Sequence, residues 1–474
     1  MPFFLTAHSC FPFWDIQSSG IVMIVFLLYV AFFCALAGYD ARHAKTVRGF
    51  FVNDNRSGSI QVGFSLIASC VGGSATIGMC GLAWKVGLPA IWWLASGAIG
   101  LAFLTLTLAR RICRTRALTM PEMVKTHLGR YAMPVMVFVI WVAWISILAA
   151  QFSAMSRIVS GLTDWPLQHS LVAGAVFITF YTLLGGQTSV LRSDVVQFLV
   201  LLLGLVILLA WVCFHAPVAV WENSDWRLLN DRFTLSRWTY FMLLMGGSYI
   251  VCPMLFSRFL SARSEACAFR AGWLSVFGLL LTALVIVLIG IGATGILPPG
   301  DGSGDAVLMT LVGRMPAVFR VFLALAMMSA IVSSADSCLL AVSTVLSNDF
   351  LKRPALSVTR ACIFVVSVFA FCLCCMGRDI LGYLLMANNI YVCGVVAPVF
   401  IAFCFRRKLQ PVLAAASICV GGILGLASEL IENPIYSYCG ISASILLAVA
   451  AAFSGSHEPD PVPPDRLDSA FGKE

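Results

Sequence analysis

Ser65-Leu66-Ile67-Ala68-Ser69-Cys70-Val71-Gly72-Gly73-Ser74-Ala75-Thr76-Ile77-Gly78 is an apolar run broken at its middle by a glycine pair and small polar residues. A second run, Met245-Gly246-Gly247-Ser248-Tyr249-Ile250-Val251-Cys252-Pro253, is interrupted in the same way. A glycine pair in an apolar helix has two readings. It can serve close helix packing, as small residues do in membranes, or it can mark an unwound stretch. Paired interruptions at corresponding positions of a chain are the sequence mark of a transporter site at the bilayer midplane. Unwound carbonyls can coordinate a cation there, and half-helix N–H groups can meet an anion.

The rest of the chain supplies the correspondence. Of 474 residues, 60% are hydrophobic and 11% charged, against about 25% charged in a soluble domain. Mean hydropathy is +0.95. Thirteen apolar runs are each long enough to cross a core of about 30 Å. They lie near 20–39, 58–84, 88–108, 133–159, 168–186, 194–214, 238–256, 271–297, 316–347, 357–376, 380–405, 410–431 and 436–454. Without strand alternation, such runs predict helices, which satisfy every backbone polar group internally in lipid. The expected fold class is an all-α polytopic membrane protein of about 13 transmembrane helices. The broken runs are the second and seventh, so a 5+5 inverted repeat would make each the first helix of its half. The expected division is 1–57 (external segment, first helix, loop), 58–214 (first repeat), 215–237 (external loop), 238–405 (second repeat), 406–454 (two peripheral helices) and 455–474 (tail).

Basic residues orient the chain. Of 30 Lys and Arg, 22 fall after odd-numbered runs or in the tail, among them Arg110, Arg111, Arg114 and Arg116, Arg258, Arg263 and Arg270, and Arg406, Arg407 and Lys408. That bias places those loops and the C-terminus in the cytoplasm and the N-terminus outside. The expected location is the cell (inner) membrane, multi-pass, with lipid as partner. The net charge of +8 is explained by topology, so no nucleic-acid partner is read from it. No basic region precedes the first run, so a cleaved signal peptide is not expected. The cysteines fall mostly within the runs, where they act as small apolar residues; Cys372, Cys374 and Cys375 lack the His or carboxylate company of a metal site. The 215–237 loop, with Trp221 and Trp226, reads as an interfacial segment. The external stretch 298–315, with the Pro298–Asp305 run in it, reads as a flexible loop, and the tail from Ser456 as a disordered end.

The ninth run contains Ala330-Ile331-Val332-Ser333-Ser334-Ala335-Asp336-Ser337. A mid-membrane carboxylate costs about 2.5–3.5 kcal/mol on insertion scales and is a functional hypothesis by default. The hydroxyls of Ser333, Ser334 and Ser337 fall on one helix face, and hard oxygen donors suit a hard monovalent cation. In the sixth run, Asp194 is either a helix cap or a second anionic ligand.

Several separated stretches belong together: Arg48-Gly49-Phe50-Phe51-Val52, Gly81-Leu82-Ala83-Trp84-Lys85-Val86-Gly87-Leu88, Leu118-Thr119-Met120-Pro121-Glu122-Met123, and Tyr181-Thr182-Leu183-Leu184-Gly185-Gly186 with Ser193-Asp194-Val195-Val196-Gln197. Pro253 to Arg258, and Ser333 to Ser337 leading to Asn348-Asp349, complete the set. In their order and spacing the chain resembles the sodium:solute symporter family over roughly residues 20–430. The resemblance implies a leucine-transporter-like inverted-repeat fold with one helix before the repeats and two after. It implies a sodium site from the carbonyls of Ala68, Val71 and Ala330 and the hydroxyls of Ser333 and Ser334. It also implies a possible second cation site at Asp194, Asp336 and Ser337. There Asp336 stands where two-sodium members have a hydroxyl residue, which leaves a proton as the alternative occupant.

The solute positions of proline and sugar transporters do not carry over, because Gly72, Gly73, Ser74, Ala75 and Thr76 occupy the break. Candidate solute contacts are Gly72, Gly73, Ser74, Thr76, Gln151, Tyr249, Asn388, Asn389 and Tyr391. A cavity without its own carboxylate favours an anionic or neutral solute. The expected function is sodium-coupled import of a small polar organic solute by alternating access, with sodium as coupling ion, no other cofactor, and a monomer or weak oligomer. Proton coupling and a solute sensor on a transporter fold are the alternatives; a sensor should carry a signalling domain, for which the tail after Ser456 is short. An intramembrane enzyme is not expected, since His8, His43, His127, His169, His215 and His457 lie near loops and ends.

Overall fold

The computed structural model describes residues 16–43, 46–163, 165–297, 304–378, 380–405 and 408–455. Residues 298–303 and the tail from Ser456 lie outside the described residues, and the rest of the expected 298–315 loop is not a loop throughout: Val307–Gly313 is a short helix that buries Val307, Leu308, Leu311 and Val312. Among the described residues every regular element is helical apart from two isolated β-bridges. The main helices are α1 (Ile16–His43), the broken pair α2a (Ser59–Cys70) and α2b (Ser74–Val86), α3 (Leu88–Thr107), α4 (Met120–Thr163), α5 (Leu167–Leu184) and α6 (Gln187–His215). They continue with α7 (Leu235–Leu260), α8 (Glu265–Ile296), α9 (Ala317–Phe350), α10 (Leu356–Cys374), α11 (Ile380–Phe403), α12 (Pro411–Leu430) and α13 (Ile435–Phe453). Eleven are long and apolar enough to cross a membrane, and the bent α2 pair makes a twelfth. The first expected span is a shorter apolar stretch, Ile24–Asp40.

Three expectations change. The 109–132 segment is not an extended loop: α4 already begins at Met120, runs 44 residues, and is kinked at Gly129, whose φ of 77° only glycine adopts cheaply. The Gly246-Gly247 pair stays helical, at φ −62° and −59°. Its role is close approach, since a Cβ on Gly246 would lie 3.1 Å from the Ser96 carbonyl oxygen and one on Gly247 3.1 Å from Val392. The unwinding in α7 falls later, at Val251 and Cys252, ahead of Pro253. Finally, Arg258 is not a loop cation; it is fully buried on α7.

The core lies where α2a packs between α6, α8 and α9, with α4 closing the other face of α9. Contact there is close: Ser275 on α8 donates to the Gly63 carbonyl at 3.0 Å. Apolar side chains such as Phe138, Phe180, Phe277, Phe364 and Leu446 point outward, as a lipid-facing surface requires. At one end, Ser57 pairs its backbone with Ser261 and Arg263, tying the start of α2a to the α7–α8 turn. At the other, the 215–237 segment includes a short exposed helix, Val218–Asn223, and reaches over α2b through Asn230 to the Val86 carbonyl at 2.9 Å.

Candidate ion and solute site

The α2 helix leaves its path at Val71 (φ −100°, ψ 72°) and resumes at Gly73, with a 62° bend. Leaving the helix frees backbone groups that must find other partners when buried. The Gly73 N–H donates to Gln151 Oε1 on α4 at 3.0 Å. The Ala68 carbonyl accepts from Ser333 at 3.2 Å and from Ser334 at 3.1 Å, and the Ser69 carbonyl accepts from Ser334 at 3.2 Å. Ser333 is also 3.0 Å from the Ala330 carbonyl of its own helix. The structure thus brings Ala68, Ala330, Ser333 and Ser334 together, with Val71 at the break and the Ser69 carbonyl as an added member. Gly72 permits the approach: a Cβ there would lie 2.6 Å from Ser334 Oγ and 2.8 Å from Gln151 Oε1. The set is made of neutral hard oxygens, which fits a hard monovalent cation and not a soft metal.

Next to it lies a charged cluster. Asp194 sits seven residues into α6 and is fully buried, so it does not cap the helix. It accepts from Ser65 and pairs with Arg258 Nη2 at 3.4 Å. Arg258 also donates to Gln187 Oε1 at 2.9 Å, to Ser69 Oγ at 3.3 Å, and to Ser337 Oγ. Asp336, also fully buried, accepts from Ser337 at 3.3 Å. Of the second-cation candidates, Asp194 and Ser337 therefore meet at a guanidinium, and Asp336 joins them through Ser337. Sequence reasoning missed Arg258, Gln187, Ser65 and Ser69 as members. Arg258 falls two places beyond the 238–256 run, so its sequence position carried no signal that separates it from a loop cation.

The solute candidates divide. Tyr249 is half-buried and packs its ring over Gly97, while half-buried Cys70 ends α2a. Ser74 is buried on the first turn of α2b, and Thr76 turns its hydroxyl back to the Gly72 carbonyl at 3.0 Å. Tyr391 donates to the Val251 carbonyl at 2.7 Å, serving the α7 break as Gln151 serves the α2 break, and its ring meets Trp144 edge-on at 4.8 Å. Asn388 donates to the Leu384 carbonyl at 3.0 Å and to Met245 Sδ at 3.4 Å. Asn389 turns elsewhere: it bonds Tyr240, Glu429 and Ser437, joining α11 to α12 and α13.

The family model of the sodium:solute symporters matches residues 50–410. The human high affinity choline transporter 1 is 26% identical over 321 residues, covering 61% of this chain and 54% of that protein. The Escherichia coli (strain K12) sodium/pantothenate symporter is 27% identical over 301 residues, covering 58% and 59%. The aligned region thus spans little more than half the length of these relatives. A solved Na+-coupled sialic acid symporter, in a substrate-bound outward-open state, superposes with a TM-score of 0.77 over 94% of this chain and 99% of that one. At 15% identity, that likeness is one of fold.

Proposed function

Because this chain belongs to the sodium:solute symporter family, we propose that it imports a small polar organic solute, an amino acid, carboxylate or similar, driven by sodium. The observation that carries this reading is the pair of α9 hydroxyls, Ser333 and Ser334, aimed at the carbonyls released where α2 breaks. Sodium is held there by the carbonyls of Ala68, Val71 and Ala330 and the two hydroxyls. The hydroxyl hydrogens that now satisfy Ala68 and Ser69 turn away, and lone pairs face the ion.

The ion joins α9 to α2, two helices that belong to different halves of a 5+5 arrangement. Its binding therefore favours one relative position of the halves, and a solute that favours the same position is coupled to it. Alternating access follows from rocking one half against the other around the site. A membrane potential contributes about 2.3 kcal/mol per charge per 100 mV, so each sodium draws solute inward. Gly73, Ser74 and Tyr249 at the two breaks receive the solute, and the absence of a carboxylate among them favours an anionic or neutral one. The protein works as a monomer or weak oligomer in the cell membrane, with its N-terminus outside.

Uptake of a solute library into proteoliposomes, with and without an inward sodium gradient, tests the reading. Sodium-dependent accumulation of one solute class is expected. Uptake indifferent to sodium and driven by a proton gradient would overturn the ion assignment.

A further inference from the structure

A pocket of about 720 Å³ lies where α7 and α11 begin and α12 turns into α13. This is the end of the bundle that the bias of basic residues places outside. Its volume falls within the roughly 300–1,000 Å³ of small-molecule sites, and no residue of the α2 or α7 break lines it. The floor of the pocket is tied into the fold. Arg378 Nη1 and Glu429 Oε1 pair at 2.7 Å, and Asn389 donates to Glu429 Oε2 at 3.2 Å and to Tyr240 at 3.0 Å.

Two lining charges are left over. Arg237 lies over the Phe233 ring, 5.4 Å from its centroid, and has no carboxylate partner among the described residues. Glu432, exposed at the α12–α13 turn, has no cationic partner among them. Its backbone is strained as well. Glu432 takes φ 55° just past the end of α12, where the Asn433 N–H bonds back to the Ser428 carbonyl at 3.1 Å. Glycine is the usual residue at that place in the motif, because a side chain there has a steric cost.

We propose that this pocket binds a small zwitterion, a free amino acid, with its carboxylate on Arg237 and its ammonium on Glu432. The charge pattern selects that class. Arg237, Arg378, Glu429 and Glu432 sum to zero, and a guanidinium holds a carboxylate through paired hydrogen bonds. A plain anion drawn to Arg237 meets Glu432, and a plain cation drawn to Glu432 meets Arg237. A ligand with both charges satisfies both and leaves neither repelled. Tyr240 and Tyr438, whose rings meet edge-on at 6.2 Å, also line the pocket and offer an apolar wall to a side chain.

Equilibrium binding to the purified full-length chain in detergent tests the proposal, in potassium medium free of sodium. Radiolabelled glycine, serine, proline, leucine and phenylalanine are the probes. Saturable binding of at least one is expected, and binding of none overturns the site. Analogues of the bound probe without its ammonium or without its carboxylate (for leucine, isocaproate and isoamylamine) should compete about tenfold more weakly or worse, as loss of a charged hydrogen-bond partner implies. Equal competition by either overturns the zwitterion. Arg237→Gln and Glu432→Gln, both exposed positions, should each lower affinity about tenfold or more. Unchanged affinity in either variant overturns the proposal, and so does binding that appears only with sodium, which belongs to the proposed solute site at the breaks. Phosphatidylethanolamine also carries an anion and an ammonium. A short-chain form that competes better than every amino acid would assign the pocket to lipid and overturn the free amino acid. None of these outcomes bears on sodium at Ser333 and Ser334, so failure here is distinct from failure of the sodium reading.

Discussion

Ser334 donates a hydrogen bond toward two carbonyls, those of Ala68 and Ser69, so its removal touches both sides of the proposed ion. Ser334→Ala should lower apparent sodium affinity about five- to thirtyfold, matching about 1–2 kcal/mol for a lost polar partner in a buried site. The sodium dependence of uptake measures it, and an unchanged dependence would remove Ser334 from the ligand set. Asp194 behaves differently at the same scale. Asp194→Asn leaves a buried guanidinium without its charge partner, which costs about 3–5 kcal/mol when such a pair is broken from one side. Thermal unfolding in detergent should show a clear loss of stability. The two serines and Asp336 were legible from residue type and position alone, because mid-membrane hydroxyls and carboxylates need partners; Asp194 read equally as a helix cap until its burial in α6 was seen. Arg258 was not legible. Its partners stand 64 and 79 positions away along the chain, and a basic residue near the end of an apolar run looks locally like any loop anchor.

The two broken helices are built alike in one respect: a side chain from another helix satisfies the backbone group that each break releases. Gln151 on α4 does this for α2, and Tyr391 on α11 for α7. Tyr391→Phe strands the buried Val251 carbonyl, at a cost of about 1–3 kcal/mol. Solute uptake should slow while sodium binding at α2 and α9 stays unchanged; equal loss of both would mean that the α7 break is part of the ion site. Gly72→Ala should abolish sodium-dependent uptake, since its Cβ would fall 2.6 Å from Ser334 Oγ and force α9 away from α2. Sequence pattern placed the α2 break correctly and the α7 break too early. A glycine pair permits both unwinding and close packing, and only the position of Ser96 and Val392 against Gly246 and Gly247 separates them.

For the whole molecule, the bias of basic residues survives the removal of Arg258 from the loops, so the proposed orientation stands on 21 of 30 cations where it had stood on 22. A membrane-impermeant maleimide added to intact cells should label Glu432→Cys above the native cysteine background. Lys352→Cys should label only after permeabilisation. The reverse pattern would invert the chain in the membrane.

Fold class, the course of most helices and the serines proposed to hold the ion were legible in the sequence itself, because lipid forces each apolar run to close its own hydrogen bonds and makes every polar interruption costly. The α2 interruption at Gly72-Gly73 was legible as one of two readings, unwinding or close packing, and the tertiary structure chose between them. What the tertiary structure alone decided is which distant groups share a space. It set Asn389 toward α12 and α13, turned Gly246-Gly247 into a packing contact, and placed the Arg258 guanidinium among the oxygens of Asp194 and Ser337. Those outcomes depend on distances between helices far apart in the chain, and no local pattern of residues carries such distances.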